Sequence, residues 1–216
     1  MIGMPCYGGN VSDKTTTGLF KLGKMFVRNG IDHSLLTTAN ESLITQGRSK
    51  IANFFINNTE FEYLLFLDSD VGFEPEDVLK LLEHNKELVV GAYPMKTVPL
   101  QWNFNLSEPR QMDGHLAAID SIGLGFALIH RSVFLKVTEK YGNELHYIPS
   151  DKSIGHKTTK EEFENSYHFF KEEKVNGHYL AEDISFFHRV RQCKIQPWLD
   201  TSIKLCHVGS HVFQED

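Results

Sequence analysis

A chain of 216 residues, 41% hydrophobic and 23% charged, is long enough for one sizeable α/β domain with a real core. Its 22 basic and 28 acidic residues leave a net charge of −6, which argues against a nucleic-acid partner, and no basic stripe rescues that idea. Three cysteines (Cys6, Cys193, Cys206) without metal-type spacing, no secretory leader and no apolar run near the roughly 20 residues of a membrane helix point to a reducing, cytoplasmic setting without membrane insertion.

Residues 1–92 alternate strand and helix signals. Ile2 to Cys6 is a short apolar strand ended by Tyr7-Gly8-Gly9. Ser12 or Asp13 opens a helix with apolar positions Leu19, Phe20, Leu22, Met25 and Phe26, stopped at Gly30. Ile31 to Thr38 reads as a second strand, and Ser42 to Asn58 as a helix with Ile44, Ile51, Ala52, Phe55 and Ile56 toward the core. The apolar run Tyr63–Leu67 is the third strand, Pro75 opens the next helix (Val78, Leu79, Leu81, Leu82), and Glu87 to Tyr93 is the fourth strand. This order predicts a mainly parallel, Rossmann-like sheet with helices on both faces.

After Tyr93 the rhythm changes. Thr97 to Leu106 and His115 to Ile122 look like irregular or antiparallel strands. Gly123 to Ile129 is an apolar strand opened by two glycines, and a helix near Ser132 to Tyr141 follows. Residues 142–178 are polar and aperiodic, which suggests a mobile lid that orders over a ligand. Leu180 to Gln192 is a helix; Ile195–Leu199 and Ser202–Cys206 are strands. The expectation is a single domain over 1–216, with a nucleotide-binding half (1–92) and a second half (93–216), of the kind that can be excised from a longer protein.

The chemistry concentrates at strand ends. Two carboxylates one residue apart, Asp68-Ser69-Asp70, follow the third strand. That is the sheet edge where ligands bind in open α/β folds, and the spacing suits a divalent cation held against a phosphate. A turn capped by acids is the bland alternative. His207, directly after Leu205-Cys206, is a candidate to complete the coordination, ahead of His211; a mixed carboxylate and imidazole set favours Mn²⁺, with Mg²⁺ possible. Glu182 and Asp183 open a helix, where acids offset the dipole, or where one serves as a general base or grips a sugar hydroxyl. Pro5, Tyr7 and Gly8 offer backbone groups and an aromatic face to a base, and Thr37 near the end of the second strand joins that set. Gly123 and Gly125 permit close approach of a ligand or simply a tight strand entry, without the following helix of a dinucleotide fingerprint. Arg48 pairs with a phosphate or base edge, or lies on a solvated helix face.

Taken in order, Pro5 to Gly9, Asp68-Ser69-Asp70, Gly123 to Leu128, Glu182-Asp183 and His207 resemble the motifs of glycosyltransferases of the GT-A fold. The segments 65–73 and 92–96 are similar to a branch of that family found in large DNA viruses, the chlorovirus glycosyltransferase domains. The resemblance implies a UDP-sugar donor, a glycan acceptor and Mn²⁺, with Asp70 and His207 as metal ligands. It gives Asp68 to the ribose or a metal-bound water and Asp183 to the acceptor hydroxyl. The chain is compact for the family, with little length for an acceptor-binding region. Two other classes stay open at this point. One is a haloacid-dehalogenase-like phosphatase with Asp68 as nucleophile, although Val71 comes one residue early for that motif. The other is a sugar-nucleotide-binding module without turnover.

Overall fold

The structure is a computed structural model that describes residues 1–148 and 165–215. Its first elements are β1 (Ile2–Cys6), α1 (Asp13–Arg28), β2 (Leu35–Ala39), α2 (Ile44–Asn58), β3 (Tyr63–Leu67), β4 (Val71–Gly72), α3 (Pro75–Glu83) and β5 (Leu88–Gly91). Then come β6 (Phe104–Leu106), β7 (Met112–Asp113), β8 (Leu116–Ile122), β9 (Phe126–His130) and α4 (Arg131–Leu145). The last are β10 (Glu173–Val175), β11 (His178–Leu180), α5 (Glu182–Gln192), β12 (Trp198–Asp200), β13 (Cys206–Val208) and β14 (Val212–Phe213).

The central sheet has the order β2-β1-β3-β9-β5-β12-β8-β6. Strand β1 is parallel to β2 and β3, and β5 is parallel to β12. Strand β9 lies antiparallel between β3 and β5, so β2, β1, β3, β5 and β12 all run one way. The first four βα-type strands are therefore co-directional, as their alternation requires, yet they are not all neighbours. The chain turns at Gly123–Gly125 and threads Phe126-Ala127-Leu128-Ile129 back through the middle of the sheet. All four of those side chains are buried, as a strand covered on both faces demands.

Helices cover both faces. Phe55 from α2, Phe134 from α4 and Phe186 and Phe187 from α5 fill one core, while Leu22 and Phe26 from α1 with Val78 and Leu81 from α3 fill the other. Helix α1 starts where Ser12 Oγ accepts the Thr15 N–H at 3.1 Å, and the chain leaves it through Gly30 at φ 65°. Phe20, expected in the core, is 71% exposed; it sits about 200° around the helix from Leu22. Helix α3 carries Pro75 at its first position and a reciprocal cap between Glu74 and Asp77.

The expected lid at 142–178 is corrected at both ends. Leu145, Phe169 and Phe170 are buried, Asn53 exchanges two hydrogen bonds with the Tyr167 backbone, and β10 pairs with β11 in a hairpin. Aromatic burial outweighs the polar composition there. The middle of that lid, residues 149–164, lies outside the described residues. The last strands also shift: the chain pairs at Trp198–Asp200 and Cys206–Val208 rather than at 195–199 and 202–206. No helix among the described residues is long and apolar enough to cross a membrane.

One cation ties the end of α2 to the sheet. Arg131 donates to the carbonyls of Phe55, Ile56, Thr59 and Phe61 at 2.7–3.0 Å and lies 4.5 Å from the Phe55 ring centroid. The C-terminal carbonyls of a helix lack partners of their own, so Arg131→Met strands several at once. We expect a loss of about 3 kcal/mol, read as a lower urea midpoint, with Arg131→Lys recovering a minor part because it lacks the planar fork.

Candidate active site

The carboxyl ends of β1 and β3 and the start of α5 open onto a cleft of about 480 Å³ whose walls include Pro5, Tyr7, Asp68, Asp70, Tyr93 and Asp183. Leu64 to Leu67 are fully buried or nearly so, and the chain leaves the sheet at Asp68. The Asp68 N–H donates to Gly125 O at 2.9 Å, and Val71 N–H closes the turn onto Asp68 O at 3.2 Å. The turn expected from the acids is real, and it aims its two carboxylates in different directions.

Asp70 faces the C-terminal strands. The two-residue strand β4 pairs antiparallel with β13, placing His207 opposite Val71, and the Val208 N–H donates to Asp70 O at 2.8 Å. The result brings His207 Nε2 to 3.5 Å from Asp70 Oδ1, an ion-pair separation rather than a hydrogen bond. His207 Nδ1 lies 2.9 Å from Pro94 O. A carbonyl only accepts, so Nδ1 carries the proton and Nε2 is left to face the carboxylate. Lys96 Nζ reaches Asp70 Oδ2 at 2.6 Å. Burial opposes ionisation of Asp70, but His207 and Lys96 outweigh it and hold its pKa down at about 2. His211 turns away and stacks on Phe213, with ring centroids 3.9 Å apart.

Asp68, also in the cleft wall, faces Arg48. Arg48 NH2 donates to its two oxygens at 3.0 and 3.2 Å, and Arg48 NH1 donates to Glu182 Oε1 at 3.1 Å. Arg48 is only 4% exposed. It therefore lies neither on a solvated face nor free for a phosphate; it bridges two acids from β3 and α5. The signal was present in the sequence, since position 48 falls on the same helical stripe as Ile44, Ile51, Ala52 and Phe55. Glu182, held by Arg48, is correspondingly not free to act as an acid or base.

Asp183 is the carboxylate left in the cleft without a cationic hydrogen-bond partner among the described residues. Its Oδ1 accepts the Ile184 N–H at 2.7 Å. Burial, and then the charge of Glu182, raise its pKa above the ordinary carboxylate range, against the pull of that hydrogen bond and of Arg48.

Of the other expected residues, Pro5, Tyr7, Ser69 and Gly123 line the cleft, and Tyr7 is 72% exposed at its rim. Thr38 takes the place expected of Thr37, because alternate strand residues face opposite sides. Gly8 sits behind the rim at φ 72° and shapes the turn that presents Tyr7. Gly125 makes room for protein rather than ligand: a Cβ there would lie 2.6 Å from the Tyr93 hydroxyl and 2.7 Å from Asp68 Oδ2. Tyr93 belongs to the site as well. Its hydroxyl accepts the Gly125 N–H at 3.2 Å and its ring meets His207 edge-on. Burial, then Asp68, push its pKa up, so the phenol stays protonated.

No protein-family model and no curated protein sequence matches this chain. Solved structures do. A197 from STIV shares 15% identity across 100% of this chain and 94% of that one, with a TM-score of 0.54. GalNAc-T7, solved with UDP, GalNAc and Mn²⁺, shares 11% across 96% of this chain and 37% of that one, with a TM-score of 0.47. A glycosyltransferase involved in the glycosylation of the major capsid of PBCV-1 shares 14% across 66% and 67%, with a TM-score of 0.34. Identities this low speak for fold and not for chemistry. The sheet order and its two helical layers are an α/β arrangement, and A197 shares that fold.

Proposed function

We propose that the protein is a glycosyltransferase that takes a sugar from a UDP-sugar and passes it to a glycan hydroxyl with the help of a divalent cation. One observation carries this reading: β4 and β13 bring Asp70 and His207 to 3.5 Å at the mouth of a cleft that also holds Asp183. With Nδ1–H held by Pro94 O, a neutral His207 would turn the Nε2 lone pair toward Asp70, and a divalent cation between the two would take the place of the proton they otherwise share. The Pro94 carbonyl behind His207 is the outer contact that fixes a ligating imidazole. Among the described residues no three His, Cys, Asp or Glu side chains converge, so Asp70 and His207 would hold the ion by two protein ligands, leaving positions for phosphate oxygens and water; Mn²⁺ fits this mixed set best, with Mg²⁺ possible. A bound ion would supply charge neutralisation for a departing diphosphate.

The chain's own residues do the rest. Tyr7 at the rim offers its face to the base. Arg48 holds Asp68 and Glu182 in fixed positions, so that Asp68 presents a preset acceptor edge for a ribose hydroxyl. Asp183, raised in pKa and free of a cation, takes the proton of the acceptor hydroxyl. The phosphatase reading needs Asp68 as nucleophile, but Arg48 donates to both of its oxygens, and a carboxylate so engaged attacks poorly.

Titration calorimetry of UDP into metal-free protein, repeated with Mn²⁺, tests the reading. Wild type is expected to bind UDP in a Mn²⁺-dependent way, and Asp70→Ala to weaken that binding by more than about 100-fold. Absence of UDP binding under both conditions overturns it. Binding without transfer or slow hydrolysis of any UDP-sugar would leave a sugar-nucleotide-binding module instead.

A further inference from the structure

The ammonium of Lys96 stands 2.6 Å from Asp70 Oδ2, on the carboxylate that faces His207. It gets there along a defined path. Lys96 follows β5 in a loop fixed by Met95 N–H to Gln101 O at 2.7 Å and Thr97 N–H to Met95 O at 2.8 Å. Its aliphatic stem runs over Gly209, where a Cβ would lie 3.0 Å from Lys96 Cδ. Gly209 belongs to the β13–β14 connection, whose N–H is tied to His211 O at 2.9 Å. Two separate parts of the chain, the loop after β5 and the β13–β14 connection, thus set one lysine on the acid that would receive the cation. Both side chains remain open to solvent, at 39% for Lys96 and 37% for Asp70, so an incoming ion can reach the pair and the ammonium can leave it.

Resting on the cation-dependent reading above, we infer that Lys96 is a built-in counter-ion: it balances Asp70 until a divalent cation displaces it, and it then moves onto the donor's diphosphate. The exchange moves charge without forming or breaking a covalent bond. A cation and an ammonium on one carboxylate repel each other, and more so near a protein surface than in bulk water. Once displaced, a lysine on a flexible stem would seek the nearest anion, and a diphosphate held by a cation on Asp70 would offer one. A single residue then makes metal entry and donor entry mutually supportive. The free ion competes with Lys96, whereas ion and diphosphate together give the ammonium a new partner.

The two halves of this role move in opposite directions in one variant. Binding of Mn²⁺ alone is measured by the loss of the free-ion paramagnetic resonance signal, and UDP binding at saturating Mn²⁺ by calorimetry. Lys96→Met is expected to bind Mn²⁺ about tenfold more tightly than wild type and UDP about tenfold more weakly. Gly209→Ala, which pushes the stem aside and keeps the charge, is expected to shift Mn²⁺ binding the same way by a smaller factor. A Lys96→Met protein with unchanged or weaker Mn²⁺ affinity overturns the counter-ion role, and so does unchanged UDP affinity. If wild type binds Mn²⁺ and UDP while Lys96→Met alters neither, only this inference fails. If wild type binds neither, the cation-dependent donor site falls with it.

Discussion

Arg48→Met is expected to be less stable than wild type by about 3 kcal/mol, read as a markedly lower denaturant midpoint, and to lose UDP binding along with stability. The cause is not the loss of a surface ion pair. Arg48 has a side chain 5% exposed, and its two partners, Asp68 and Glu182, are about three-quarters buried. Removing one side of such a network leaves two carboxylates enclosed without a cation, close to a third at Asp183; breaking buried pairs one-sidedly costs about 3–5 kcal/mol, and the residual exposure of the acids puts this case at the low end. A methionine fills the space of the stem, so packing alone predicts a small effect. The diagnostic is the triple variant Arg48→Met, Asp68→Asn, Glu182→Gln, which removes the stranded charges as well. It is expected to recover at least half of the lost stability and none of the UDP binding. A single variant as stable as wild type would mean that water reaches these acids freely and that the bridge does not organise the cleft.

The same network shows what the sequence disclosed and where it stopped. The apolar run ending at Asp68 identified the sheet edge, and the alternation before it identified the helical layers. These are local signals, a strand period and a helix period, and the fold follows them. The placing of β9 between β3 and β5 depends on pairing across tens of residues, which leaves no trace in either strand's own pattern. The acid pair behaved likewise. Its position was legible, but the division of labour, Asp68 toward Arg48 and Asp70 toward His207, is set by the pairing of β4 with β13 across more than a hundred residues. A strand of two residues, Val71-Gly72, carries no periodicity to read. Arg48 is the opposite case. It sat on the apolar stripe of its own helix, and the assumption that arginine belongs outside hid a signal that the spacing contained. Lys96 and Tyr93 lie close together after β5, but their partners come from three other segments, so no window of the sequence assigns them.

Asp183→Asn separates chemistry from binding and runs stability against activity. Asparagine keeps the shape and can still accept the Ile184 N–H, so Mn²⁺-dependent UDP binding is expected to stay within about threefold of wild type. Transfer to an acceptor hydroxyl is expected to fall by about 10²–10⁴-fold, the usual range for a lost general base. Stability moves the other way. Because the folded-state pKa of Asp183 is raised above 3.8, the folded protein holds that proton more tightly than the unfolded chain does. Stability therefore declines as pH rises from the unfolded value through the raised one, and the full penalty is present above it. The variant has no such proton to lose, so it is expected to be more stable than wild type at neutral pH, and the advantage fades as the solution is acidified toward and below 3.8. Thermal unfolding across this range and the acidic limb of the transfer rate report the same group. In wild type the rate rises with pH as Asp183 ionises, so the limb lies above the ordinary carboxylate range; in the variant it disappears. A variant that keeps full transfer removes Asp183 as the base. One that loses transfer without gaining neutral-pH stability shows that its carboxyl is not strained in the folded state. If both outcomes hold, a group that weakens the fold where it is charged, in a cleft whose other inward acids are neutralised by a buried arginine, has its cost explained by the proton it accepts in transfer.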